Sequence, residues 1–152
     1  DILLEDNQIW KAENFEAKIM HIPGHTSGHI CFHFFKEKLI FTGDTLFSLG
    51  CGRIFEGSYK EMFESLNRIK ILPKETKIYC GHEYTLKNAK FCERYDSENK
   101  DLQKKIEKIE KQRKNGIPTI PSTLKEELEC NIFLKAKDVE SFSKLRDLKD
   151  NF

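Results

Sequence analysis

Three side chains that can carry chemistry each follow a glycine at the end of an apolar run. His25 comes after Pro23-Gly24, Asp44 after Thr42-Gly43, and His82 after Cys80-Gly81. Two imidazoles and one carboxylate are suitable donors for zinc or iron. Glycine beside each lets the backbone turn sharply and come close to a ligand. The same three residues also read as turn residues satisfied by local hydrogen bonds. His21, His25, His29 and His33 are spaced by four, which on a helix would stack them as a zinc site. Pro23, Gly24 and Gly28 break any such helix, and the neighbours of His33 alternate as in a strand. His21, His29 and His33 therefore read as structural.

The donors need strands that end at one edge, and the first half of the chain supplies them. Residues 17–22, 30–35, 38–42 and 77–80 read as strands, with Ile30, Phe32 and Phe34 on one face and Cys31, His33 and Phe35 on the other. Ser58 and Glu61 have capping-box spacing and open a helix whose inner stripe is Tyr59, Met62, Phe63, Leu66 and Ile69. Strand, loop, strand, helix, strand is an α/β pattern, and such folds gather ligands outside the carboxyl ends of their strands.

Beyond His82 the pattern turns helical and lysine-rich. Helices are expected over 85–95, over 98–115 with Ser97 as N-cap and Gly116 as stop, and over 138–149 with Val139, Phe142, Leu145 and Leu148 inward. Thr123 and Glu126 form a second capping box. The prolines at 118 and 121 keep 117–121 extended.

Composition narrows the field. The 152 residues include 12 Phe and carry a net charge of +1, so a core is affordable and no overall field draws in nucleic acid or anionic membrane. No apolar stretch approaches the length of a membrane span. Asp1, Glu5 and Asp6 stand where a secretory signal would be basic, and five cysteines without a C-x-x-C pair read as small, buried, reduced thiols. A cytoplasmic setting is the expectation.

Four motifs then occur in one order: PGHTSGH (23–29), FTGDTLF (41–47), GCGRIFEGS (50–58) and YCGHEYT (79–85). The tail adds IPTIPSTLKEE (117–127), an N-x-F at 131–133 and R-x-x-K-D-x-F at 146–152. Together they resemble the glyoxalase II family, the hydroxyacylglutathione hydrolases of the metallo-β-lactamase superfamily, over nearly the whole chain.

The resemblance implies an α/β fold: the second half of a metallo-β-lactamase αββα sandwich over 1–84 and a C-terminal α-helical, glutathione-binding domain over 85–152. It implies two divalent metal ions in the full-length enzyme (zinc, iron or manganese), with His25 on the first, Asp44 bridging both as the catalytic carboxylate, and His82 on the second. The implied substrate is a glutathione thioester, S-D-lactoylglutathione, cleaved by a metal-activated hydroxide to glutathione and D-lactate in the second step of methylglyoxal detoxification. Implied substrate contacts are Arg53, Ile54, Phe55, His82, Glu83, Tyr84, Arg146 and Lys149. Arg146 and Lys149, three apart on one helix face, suit the glycyl carboxylate, although a Lys-rich helix can present such a pair simply as a solvated face. Phe55 stands where the family's human-type pattern has tyrosine, and Arg53 where it usually has lysine.

The family's H-x-H-x-D-H motif does not occur, and no H-x-H stands anywhere in the chain. The chain thus resembles the C-terminal part of the family. Alone it is expected to bind metal weakly or not at all, to lack turnover, and to self-associate through the sheet face left by the missing half. Other readings are a different hydrolase of the same fold, a persulfide dioxygenase or lactonase, against which Arg146 and Lys149 argue, or a non-catalytic glutathione-binding or assembly module.

Overall fold

The computed structural model describes residues 2–152, so Asp1 lies outside it. Its strands are β1 (Ile9–Ala12), β2 (Phe15–His21), β3 (Ile30–Phe34), β4 (Leu39–Gly43), β5 (Leu46–Phe47), β6 (Gly50–Cys51), β7 (Lys77–Cys80) and β8 (Ser122–Thr123). Its helices are α1 (Tyr59–Lys70), α2 (Thr85–Tyr95), α3 (Lys100–Lys114), α4 (Leu124–Cys130), α5 (Ile132–Lys135) and α6 (Val139–Asp150). Six strands form one sheet in the order β1-β2-β3-β4-β7-β8, and β5 and β6 make a separate hairpin. Only β4 and β7 run parallel, joined by the crossover through α1.

Alternation decides what each face of the sheet does. Met20, Cys31, Ile40 and Ile78 are buried and share one core with Met62, Leu66 and Ile69 of α1. Each such side chain taken from water stabilises the fold by roughly 1.5–3 kcal/mol. The opposite face carries Trp10, Phe15, Phe32, Phe34, Phe41 and Tyr79, whose rings meet edge-on or tilted at 5.3–6.3 Å. Phe15 is 52% and Phe41 47% exposed. Part of this aromatic sheet face is exposed.

Local signals place the helices. Ser58 and Glu61 close a capping box on α1, Thr123 and Glu126 on α4, and Asp138 and Ser141 on α6. Three expectations need correction. Helix α3 is capped by Asn99 rather than Ser97, because the Asn99 side chain accepts from the N–H groups of Asp101 and Leu102. On α6 Leu148 is 44% exposed, while Arg146 is buried at 3%. On α1 Tyr59 is exposed rather than inward, its hydroxyl donating to Asp147.

One buried carboxylate joins the two textures of the chain. Glu127 of α4 is fully enclosed and accepts from Ser48 Oγ, Leu49 N–H, Asn131 Nδ2 and Lys105 Nζ at 2.7–3.1 Å. The tip of the β5–β6 hairpin, with Leu49 at a φ of 59°, is thereby fixed inside the helical layer. A non-glycine residue in that backbone region persists only where its surroundings hold it. All five cysteines are free thiols, four of them buried. No described helix is long and apolar enough to cross a membrane.

Candidate active site

His25, Asp44 and His82 meet at the carboxyl end of the sheet, as their position after strand ends predicts. His25 Nε2 lies 3.6 Å and His82 Nε2 3.4 Å from Asp44 Oδ2, one imidazole on each side of the carboxylate. Close backbone packing makes this convergence possible. A Cβ on Gly52 would stand 1.9 Å from the Asp44 carbonyl oxygen, and one on Gly81 would stand 2.5 Å from Asp44 Oδ1. The hydrogen bonds from Gly81 N–H to the Gly43 carbonyl and from Phe55 N–H to the His25 carbonyl tie the three loops together.

The tautomer of His25 follows from its partner. Its Nδ1 is 2.8 Å from the Arg53 carbonyl oxygen, which can only accept, so Nδ1 carries the hydrogen. In the neutral ring, Nε2 then presents a lone pair toward a carboxylate oxygen, an arrangement that calls for a proton or a cation between them. The donors thus suit a divalent metal in type. Their arrangement falls short: zinc takes three or four ligands around one ion, and among the described residues no group of three or more His, Cys, Asp and Glu is placed to hold one.

The histidines read as structural are structural. His21 Nε2 contacts the Ser27 carbonyl at 2.7 Å, and His33 is buried, which together with the charge of Lys18 holds its pKa below the usual value. His29 does more than fill space: its Nε2 accepts from Asp44 N–H at 3.1 Å and so orients the loop that carries the carboxylate.

From this cluster a cleft of about 530 Å³ runs toward α2 and α6. Of the implied substrate contacts, Arg53, Phe55, His82, Tyr84, Arg146 and Lys149 line it. Ile54 and Glu83 do not. Ile54 packs against the hydrophobic core, and the Glu83 carboxylate accepts from Thr119 N–H and Oγ1 and faces Arg113. Sequence reading also passed over Phe47, Cys51, Gly52, Lys87 and Asn88 as lining residues. Phe47 stood inside a quoted motif; Lys87 carried no signal beyond its charge on a lysine-rich helix.

The walls differ in character along the cleft. Tyr84 stacks on His82 at the donor end, with ring centroids 4.8 Å apart. At the far end Arg146 donates to the Cys51 carbonyl and to Asp150, lies over the Phe133 ring, and keeps Nε buried without a partner. Lys149 Nζ sits 4.9 and 5.1 Å above Phe91 and Phe152. Burial, then the charges of Arg146 and Lys87, bring its pKa down to about 8.

Comparison with known proteins points to a family. The hydroxyacylglutathione hydrolase C-terminus model matches residues 83–152, and the metallo-beta-lactamase superfamily model matches residues 10–82. The chain is 64% identical over its whole length to a hydroxyacylglutathione hydrolase of Pelagibacter ubique, and 41% identical to one of Methylococcus capsulatus. It spans 64% and 65% of the length of those two relatives. Among solved structures, ETHE1 from Myxococcus xanthus aligns with a TM-score of 0.69 at 21% identity, over 96% of this chain and 51% of that one. A metallo-beta-lactamase from Staphylococcus aureus aligns at 0.65 and 20% identity, over 97% and 43%; both likenesses speak to the fold. The two parts of this chain thus match the hydroxyacylglutathione hydrolase C-terminus and the metallo-β-lactamase superfamily, and its whole length resembles hydroxyacylglutathione hydrolases.

Proposed function

We propose that this chain forms the substrate-holding part of a hydrolase that cleaves S-D-lactoylglutathione, a glutathione thioester, to glutathione and D-lactate. The single observation that carries the reading is one cleft with oxygen and nitrogen donors at one end and cations at the other. His25, Asp44 and His82 would be this chain's share of the ligands to two divalent ions, zinc, iron or manganese. Such an ion, when bound, supplies hydroxide at neutral pH and polarises the carbonyl.

The chain's own side chains account for the rest. Lys149 holds a peptide carboxylate and Arg53 lines the same cleft, with the helical part from residue 85 onward forming the glutathione end. Tyr84 directs its hydroxyl at the thioester, and His29 keeps Asp44 in register. The leaving thiol, with a pKa of roughly 8.5, departs as thiolate without a dedicated acid. A cytoplasmic setting suits the five free thiols.

With its donors so arranged, the chain alone holds ligand without turnover. Joined to the part of the Pelagibacter relative that it does not match, and loaded with zinc, it should hydrolyse S-D-lactoylglutathione. A fusion that folds and binds S-alkylglutathione but releases no thiol would contradict the proposal. The exposed part of the aromatic face carries a second expectation, self-association at micromolar concentration. Light scattering should give a mass above 17.9 kDa; a clean monomer would overturn that part.

A further inference from the structure

Two cations in the cleft have no acid of their own. Its walls carry Arg53, Lys87, Arg146 and Lys149. Asp150 serves both arginines, with one oxygen 3.1 Å from Arg53 Nε and 2.9 Å from Arg146 Nη2. Asp44, the carboxylate that lines the cleft, is flanked by His25 and His82 at the other end. Among the described residues Lys87 and Lys149 take part in no ion pair.

These two lysines are neighbours from different helices. Lys87 lies in the first turn of α2 and Lys149 in the last turn of α6, and Lys149 Nζ is 3.4 Å from the Lys87 carbonyl. Like charges on the wall of one cleft repel, and that repulsion is relieved when an anion arrives between them. The lowered pKa of Lys149, to which Lys87 contributes, points the same way. A glutathionyl group carries two carboxylates, one on its glycine and one on its γ-glutamyl residue.

We propose that Lys87 is a specificity-determining residue which, with Lys149, forms a two-cation clamp that takes both carboxylates of the tripeptide. Thioesters with a single carboxylate are thereby disfavoured. This rests on the glutathione reading above and adds to it a residue that the resemblance does not assign.

The test is calorimetric titration of the 152-residue chain with three probes. They are S-hexylglutathione, its glycine amide and its γ-glutamyl α-amide. Lys87 is exposed, so its replacement leaves the core untouched. Lys87→Met should weaken binding of the parent probe roughly tenfold. That loss should vanish for whichever amide lacks the carboxylate Lys87 reads, and Lys87→Arg should restore most of it. Unchanged binding by Lys87→Met, or an equal loss for all three probes, would overturn the clamp while leaving the glutathione reading in place. Failure of the unaltered chain to bind any of the three would overturn both.

Discussion

The two ends of the cleft are built to different degrees of completeness. At the cationic end, Arg53, Arg146 and Lys149 are already held by Asp150, the Cys51 carbonyl and two phenylalanine rings. At the donor end a single carboxylate stands between two imidazoles that are too far for a hydrogen bond and not placed to hold a metal with it. Under the proposed function, the first end holds the peptide with what the chain has, and the second needs further ligands before it can do chemistry. On that proposal recognition and catalysis are separable along the chain, and each can be disturbed without the other.

The largest effect should come from the buried carboxylate that ties the hairpin tip to the helical layer. Glu127→Ala leaves Lys105 buried without its closest acid and frees the hairpin tip, and should cost about 3–5 kcal/mol in urea unfolding. If the loss is under 1 kcal/mol, roughly what an exposed pair contributes, the hairpin is held by other means. Next, Lys149→Met should weaken S-hexylglutathione binding by about thirtyfold. A change within roughly twofold would show that the cationic end is not where the peptide sits.

The pH dependence of binding sharpens the same point. Lys149 must be an ammonium to take a carboxylate, and its pKa in the free chain is about 8. Affinity should therefore hold below pH 7 and fall as pH rises through 8, with proton uptake on binding in alkaline buffer. Arg146 and Lys87 are the cations that face it. A flat profile from pH 7 to 9 would rule out Lys149 as the responsible cation. The smallest effect belongs to the donor end: Asp44→Asn should leave thioether affinity within about twofold, because distant, unshared sites act independently. A tenfold loss would show that the two ends are coupled.

Much of this arrangement could be read before the fold was known. Strand-end position alone selected His25, Asp44 and His82 from five histidines and many carboxylates, and capping boxes marked α1 and α4. Spacing alone would have chosen the four histidines at intervals of four, which strand geometry scatters. What escaped reading depends on tertiary partners. Arg146 looked like a surface cation, yet its guanidinium is buried because the Cys51 carbonyl and the Phe133 face come from distant parts of the chain. Glu83 looked like a site residue beside His82, but Thr119 claims it. Strand β1, four residues with one lysine, was missed because alternation over Ile9–Ala12 is too brief to stand out from a loop.

The most direct test holds the chain, zinc and S-D-lactoylglutathione in one tube and follows both bound ligand and released thiol. The account predicts saturable binding of the thioester with no thiol released above the uncatalysed rate. Thiol release that saturates with substrate and disappears in Asp44→Asn would contradict it, since the donor end would then be complete within these residues.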